Sequence, residues 1–89
     1  MKQHLVATLA DVKPGYTAVI SGFDEDLIPL KMLEMGLLPG NTVLVKRYSP
    51  FGDPIHIRVA GFDMALRKDE AAFVAINPAT VQLDVNLWE

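Results

Sequence analysis

The side chains that could do chemistry in this 89-residue sequence do not form a recognisable catalytic set. Its two histidines, His4 and His56, are widely separated, so a nucleophilic serine has no evident base and orienting group. The sequence contains neither the glycine-rich phosphate-binding motifs nor the H-E-x-x-H zinc motif. We therefore expect a protein that is not an enzyme and that binds no cofactor.

An acidic triplet, Asp24, Glu25 and Asp26, offers carboxylate oxygens that suit a hard cation such as ferrous iron. The same triplet precedes a predicted helix, where it would cap free N–H groups and interact favourably with the helix dipole. Three adjacent carboxylates without a histidine or a second ligand cluster make a poor iron site, so the sequence favours capping.

Composition predicts a single small globular domain, because 51% of the residues are hydrophobic and 21% are charged. The absence of cysteine excludes disulfides and thiolate metal sites and fits a reducing compartment, so we expect a cytoplasmic protein. No apolar stretch is long enough to insert into a membrane. A net charge of -3 argues against nucleic-acid binding, since non-specific affinity for phosphates comes from basic residues.

Strands over 42–48 and 55–59 are predicted to pair as a hairpin, because one register aligns their apolar rows. In that register the inner face carries Val43 opposite Val59 and Val45 opposite Ile57. A third strand follows a two-residue turn at 61–62, with Val59 opposite Met64 and Ile57 opposite Leu66. A slip by one residue would turn these rows to solvent, so their agreement supports a three-stranded meander.

The same register places Lys46, His56 and Arg67 side by side on the outer face of the meander. We call these three residues the basic strip. On an acidic protein it could receive an acidic partner surface or a phosphate, in a salt-dependent way. The other interpretation is that these long side chains simply extend into water.

The loop between the first two strands of the meander contains Phe51 among the turn-forming residues Pro50, Gly52, Asp53 and Pro54. Turn formation explains the prolines, the glycine and the aspartate but not the aromatic ring. A hairpin tip has little core of its own, so Phe51 either folds back to cap the domain or anchors a binding partner.

A strand over 16–23 and a helix over roughly 27–35 are predicted to precede the meander. The helix is apolar on two sides, and the side chains of Ile28, Met32 and Met35 form one of them. Several sources of cover are open for this side: the end of a small barrel into which the helix sinks, the N-terminal segment, the tail, or another chain.

A single turn of helix or 3₁₀ helix is predicted over 67–72, followed by a closing strand over 73–76. Together the elements predict a mainly β fold, one domain over the whole chain with a small, partly open barrel over about residues 8–76. The tail over 77–89 alternates apolar and polar residues. We expect it to add a strand that pairs with residues 5–9 or with a second protomer.

The segment LEMGLLPGNTVLVKRYSPFGDPIHIRVAGFDMALRKDEAAFVAI, from residue 33 to residue 76, closely resembles the FeoA family, small cytoplasmic proteins associated with bacterial ferrous iron transport. The earlier TLADVKPGYTAVISGF is also similar to the opening of that family. The resemblance implies an SH3-like barrel with one short α-helix inserted after the first strand. It also implies an accessory role for FeoB, the membrane iron transporter with a cytoplasmic GTP-binding domain.

The leading hypothesis is therefore a non-enzymatic protein that binds the cytoplasmic domain of FeoB and supports or regulates ferrous iron uptake. The predicted partner-binding residues combine the helix, the hairpin loop and the basic strip: Ile28, Met32, Met35, Lys46, Phe51, Asp53, His56 and Arg67. The alternatives are a regulatory SH3-like module related to the C-terminal domain of iron-dependent repressors, and a ferrous iron carrier.

Overall fold

The computed structural model describes residues 7–23 and 30–84 of the chain. Five strands and two short helices follow a single turn of 3₁₀ helix at Leu9–Asp11. In chain order these elements are β1 (Tyr16–Phe23), α1 (Leu30–Glu34), β2 (Thr42–Tyr48), β3 (Ile55–Val59), β4 (Phe62–Leu66), α2 (Lys68–Ala71) and β5 (Val74–Leu83).

The five strands form one antiparallel sheet in the order β4-β3-β2-β1-β5, so that the last strand lies beside the first. Every element contributes buried side chains to one hydrophobic core. The prediction of a mainly β domain, with a short helix after the first strand and one helical turn before the last, is confirmed. Within residues 7–23 and 30–84, no helix has the length and apolar character that crossing a bilayer requires.

The hairpin of β2 and β3 has the predicted inner row, with Val43 opposite Val59 and Val45 opposite Ile57. All four of these side chains are buried. Beyond them the register shifts by one residue, and Arg47, not Lys46, is the residue opposite His56. A β-bulge at Lys46 accounts for the shift, since one extra residue of β2 faces a single residue of β3.

The pairing of β3 with β4 differs from the predicted register by two residues. The pairs are Val59 with Phe62, Ile57 with Met64, and Ile55 with Leu66. The turn is formed by Ala60 and Gly61, and not by residues 61–62 as predicted. The φ angles of Ala60 and Gly61, 53° and 83°, are both positive, as a type I′ turn requires. Because a two-residue slip preserves the alternation of faces, the prediction that Leu66 lies on the inner face is confirmed, and its side chain is buried.

Helix α1 ends in a Schellman motif built around Gly36. The N–H of Leu37 donates to the carbonyl of Met32 at 3.0 Å, and the N–H of Gly36 donates to that of Leu33 at 3.1 Å. Gly36 has a φ of 99°, and a Cβ added to it would lie 2.6 Å from the Cβ of Ala60. The end of the helix therefore packs closely against the turn between β3 and β4, and only glycine fits there.

The C-terminal tail does not form a separate strand after Asn77-Pro78. It continues β5, which pairs with β1 from Phe23 opposite Val74 to Tyr16 opposite Leu83, with two register shifts. Pro78 lies in one of these irregular stretches, where proline is tolerated. The expected pairing of the tail with residues 5–9 is therefore wrong for Gln82 and Leu83, which pair with β1. The expected pairing with another protomer stays a prediction, because β5 lies at the edge of the sheet. Residues 85–89 lie outside the described residues.

Candidate partner-binding surface

Phe51 lies at the tip of the loop between β2 and β3 and is 99% exposed. Hydrogen bonds across the loop hold its backbone: Ser49 N–H donates to the carbonyl of Pro54 at 3.0 Å, and Gly52 N–H donates to that of Ser49 at 2.7 Å. Gly52 has a φ of 86°, which suits a turn. The ring therefore does not cap the barrel, and its role as an anchor for a binding partner stays a prediction.

Asp53 connects the same loop to helix α2. Its Oδ1 atom accepts a hydrogen bond from the backbone N–H of Lys68 at 2.9 Å. This N–H belongs to the first turn of α2, where backbone donors have no partner within the helix. Asp53 therefore has a structural role, and its contact with a partner stays a prediction.

Arg67 does not lie opposite His56, because the residue of β4 in that position is Ala65. Arg67 follows the end of β4 and is the N-cap residue of α2, where its backbone N–H donates to Glu70 Oε1 at 2.9 Å. The predicted basic strip is therefore corrected: the two-residue shift of β4 removes Arg67 from it. Arg67 is exposed and lies at the start of α2.

The outer face of β2, β3 and β4 carries a hollow of about 290 Å³, which we call the bulge hollow. It is lined by Lys46, Arg47, His56, Ile57, Asp63, Met64 and Ala65. His56 is half-buried, and its Nε2 atom lies 3.0 Å from Ser49 Oγ. The two remaining members of the predicted basic strip, Lys46 and His56, both line this hollow, although Arg47, and not Lys46 as predicted, is the residue opposite His56.

Asp63 places a carboxylate among these basic side chains. It accepts hydrogen bonds from Arg58 Nε at 2.7 Å, from Arg58 Nη2 at 3.1 Å and from Lys46 Nζ at 3.2 Å. The hydrogen bonds from Arg58, followed by the one from Lys46, lower the pKa of Asp63 from 3.8 to about 2. This group could not be predicted from the sequence, because the predicted register of β4 does not pair Asp63 with Arg58.

Helix α1 contributes less to the surface than predicted. Met32 is only 3% exposed and belongs to the core, so its assignment as a partner contact is wrong: the barrel supplies its cover. Met35 is half-buried, and Ile28 lies outside the described residues. The exposed apolar side chain of α1 is Leu30, at 66%, which is not among the predicted contacts.

Other exposed apolar side chains were not among the predicted contacts: Leu38, Phe62, Phe73, Val81 and Leu83. Val81 lines a second hollow of about 280 Å³, and Leu83 lies two residues further along the same strand, β5. Apolar atoms form most of the lining of this hollow, whose residues are Ala7, Asp11, Val12, Lys13, Tyr16, Ile76 and Val81. The alternation of apolar and polar residues in the tail is typical of a half-buried strand, in which Val81 and Leu83 would belong to the buried face.

The part of the chain that the structure describes brings together no group of three or more histidine, cysteine, aspartate or glutamate side chains that could hold a metal ion. The acidic triplet Asp24 to Asp26 lies outside that part, so its capping role and its candidacy as an iron site both stay predictions.

The sequence matches a family model described as the FeoA domain over residues 7–78. A curated relative is the Fe(2+) transport protein A/Fe(2+) transporter FeoB fusion protein of Porphyromonas gingivalis, which is 29% identical over 69 residues. These residues are 76% of this chain and 8% of the relative, so the chain spans a small part of that protein's length.

Two solved structures share the architecture. The crystal structure of Stenotrophomonas maltophilia FeoA complexed with zinc, described as a prokaryotic SH3 domain protein, aligns with a TM-score of 0.76 at 23% identity and covers 86% of this chain and 96% of that one. The NMR structure of a FeoA-like protein from Clostridium acetobutylicum aligns with a TM-score of 0.73 at 26% identity, covering 86% and 88%. The fold is thus SH3-like, and with a family model that matches most of its length this chain belongs to the FeoA family, which is linked to ferrous iron transport.

Proposed function

We propose that this chain is a non-enzymatic, cytoplasmic accessory protein of bacterial ferrous iron uptake that binds the cytoplasmic, GTPase-containing part of the FeoB transporter. Family membership links the chain to ferrous iron transport, and the relative in Porphyromonas gingivalis is named as a fusion of an Fe(2+) transport protein A with FeoB. A fused domain is held near its partner by a linker, which supplies a high effective concentration.

The observation that carries this proposal is the exposure of Phe51. A fully exposed phenyl ring contributes nothing to the core, whereas aromatic side chains inserted into a partner's pocket are frequent hot spots worth about 2 kcal/mol or more. The hydrogen bonds of Ser49 and Gly52 and the contact of Asp53 with α2 order the loop before any partner arrives. Binding therefore costs less conformational entropy than it would with a flexible loop.

The bulge hollow continues this surface from the loop along the outer face of the sheet. Ser49 belongs to the Phe51 loop, and its hydroxyl contacts the ring of His56 in the hollow. An aromatic anchor beside a basic, half-open hollow forms one surface on the β2–β3 hairpin. A domain of this size commits at most about 800 Å² to a partner, so we expect a moderate affinity that salt weakens.

The experiment that tests this function is a binding titration of the full chain against the purified cytoplasmic domain of FeoB from the same genome. It is performed at low salt, with GDP, with a non-hydrolysable GTP analogue and without nucleotide. We expect Phe51→Ala to weaken binding about thirtyfold, as loss of a hot spot of about 2 kcal/mol implies. Its thermal midpoint should be unchanged, because the ring contacts no core residue.

Phe62→Ala is the matched control, since Phe62 is also exposed, at 53%, but lies at the turn between β3 and β4. It should bind the cytoplasmic domain as the unmodified chain does. No binding in any nucleotide state, or equal losses in both variants, would refute the proposed docking.

The rival function, delivery of ferrous iron, is separated from docking by an anaerobic titration with Fe²⁺. The unmodified chain is compared with a variant in which Asp24, Glu25 and Asp26 are all replaced by the corresponding amides. We expect the two titrations to coincide, because three adjacent carboxylates make a poor iron site. Stoichiometric binding that the triple variant loses would favour the carrier instead.

A second copy of the chain is a further proposed partner, through the C-terminal strand. The observation in its favour is that Val81 and Leu83 of β5 are 39% and 49% exposed, an apolar row on a strand at the edge of the sheet. Light scattering of the full chain and of Leu83→Glu tests it. A dimer mass that the substitution converts to a monomer supports this contact, and a monomer mass for both chains removes it.

A further inference from the structure

The β-bulge in β2 directs two basic side chains to one place. At a bulge, two residues of one strand face a single residue of the other, and here Lys46 and Arg47 both face His56. The flanking pairs, Val45 with Ile57 and Tyr48 with Ile55, keep their side chains toward the interior. The extra residue therefore adds a cation to the outer face without disturbing the core.

The charges in and beside the bulge hollow do not cancel. Lys46, Arg47 and Arg58 are cationic, and the single carboxylate among them is that of Asp63. Asp63 is occupied by Lys46 and Arg58, whereas Arg47 has no ion-pair partner among residues 7–23 and 30–84. This face is thus locally positive on a chain whose net charge is -3.

We propose that the bulge hollow binds a side-chain carboxylate of an acidic segment in a protein partner, with Arg47 as the principal donor. The guanidinium group of arginine presents paired N–H donors whose geometry matches a carboxylate. The ring of His56 lies next to it, and the exposed Ala65 opposite His56 lines the same hollow, where the methylene groups of a glutamate can pack.

A carboxylate fits this hollow better than a phosphate does. Asp63 already occupies Lys46 and Arg58, so Arg47 is the cation of this group that remains available, and one guanidinium balances the single charge of a carboxylate but not the two charges of a phosphate dianion. A nucleic acid is disfavoured because the whole chain is acidic. The inference rests on the proposed function only for the identity of the partner protein, and the chemistry of the hollow can be tested without that partner.

The test is an NMR titration of the ¹⁵N-labelled full chain with an end-blocked hexaglutamate peptide at low salt. We expect the largest amide shift changes at Lys46, Arg47, His56 and Ala65. Arg47→Glu should weaken this binding about tenfold or more. Lys13→Glu is the matched control, because it changes the net charge equally at an exposed site outside the bulge hollow and should retain most of the affinity.

Arg47→Gln provides a milder variant should Arg47→Glu disturb the fold, and the dispersion of each spectrum checks folding. Shift changes centred elsewhere, or equal losses in Arg47→Glu and Lys13→Glu, would overturn the inference, because they would indicate a response to net charge alone. Inorganic phosphate is titrated at matched ionic strength, and tighter binding of phosphate than of the peptide at the same amides would overturn the carboxylate assignment.

Failure of this inference is distinguishable from failure of the proposed function. If hexaglutamate binds at the bulge hollow but the cytoplasmic domain of FeoB does not bind the chain, the site stands and its partner is another acidic protein. If FeoB binds with equal affinity to the unmodified chain and to Arg47→Glu, and the peptide does not bind, the docking function stands and the acidic-segment site is refuted.

Discussion

Asp53 Oδ1 accepts a hydrogen bond from the backbone N–H of Lys68 at 2.9 Å, which fastens the loop carrying Phe51 to the first turn of α2. The two residues belong to elements separated by two strands, so the contact is made only when the barrel has formed. It fixes one end of the exposed loop, and it makes the position of Phe51 depend on a carboxylate two residues away. This coupling between loop and helix can be tested by substitution.

Asp53→Ala should lower the free energy of unfolding by about 1 kcal/mol, because it removes an acceptor from an otherwise unpaired helix N–H. Asp53→Asn is the control, since an asparagine oxygen can accept the same bond and should retain most of the stability. Chemical denaturation measures both. Equal losses in the two variants would show that the negative charge of Asp53, and not the hydrogen bond, is what stabilises the protein.

Gly36→Ala should destabilise the protein more than Gly40→Ala does. Both glycines have left-handed φ angles, 99° and 95°, so each substitution costs about 1 kcal/mol in backbone strain. A new Cβ at residue 36 would also lie 2.6 Å from Ala60 Cβ, whereas one at residue 40 meets nothing within 4 Å. We expect this overlap to add about 1–3 kcal/mol.

Adding Ala60→Gly to Gly36→Ala should recover the cost of the overlap, because the obstructing methyl group is gone and glycine tolerates the φ of 53° at residue 60. Thermal or urea denaturation of the single and double variants measures the recovery. Equal stabilities for Gly36→Ala and Gly40→Ala would contradict the close packing of α1 against the turn.

Met32→Ala should lower the free energy of unfolding by about 2–5 kcal/mol, the range for truncating a buried side chain. Leu30→Ala, at an exposed position on the same helix, should change it by no more than about 0.5 kcal/mol. Denaturation curves compare the two. A stable Met32→Ala variant that had lost partner binding would instead restore Met32 to the docking surface.

The contribution of Asp63 to the stability of the protein should depend on pH. Its pKa is lowered in the folded protein, to about 2 from 3.8, so its stabilising contribution is present above about pH 4 and is lost as pH falls toward 2. We expect the unmodified protein to be more stable than Asp63→Asn at pH 6 and the difference to shrink by pH 2. Urea midpoints at both pH values measure this, and added salt should reduce the difference at pH 6. A constant difference would contradict the ion-pair assignment.

The sequence was sufficient for the inner rows of the β2–β3 hairpin, because valines and isoleucines on alternate positions leave one register that buries them all. The sequence did not determine the register of β4, because a slip of two residues buries the same face and Gly61 suits a turn in either register. Only the positive φ at Ala60, where glycine or asparagine is more usual, distinguishes the actual turn.

The candidate site was predicted less completely than the fold for related reasons. Lys46 and Arg47 are both basic, so nothing in their types reveals that one of them is an extra residue in a bulge. Asp63 could be assigned to Arg58 only with the correct register of β4. Phe51 was identified correctly as the residue that turn formation does not explain, but its exposure depends on the tertiary fold.

The central claim is that this chain acts on FeoB by docking through the Phe51 loop. The most direct measurement is the initial rate of Fe²⁺ uptake by proteoliposomes that contain FeoB and GTP, with the chain absent, with the unmodified chain, and with Phe51→Ala. We expect the unmodified chain to change the rate and Phe51→Ala, at the same concentration, to leave it close to that of FeoB alone. A rate that the unmodified chain does not alter, or that Phe51→Ala alters equally, would contradict this claim.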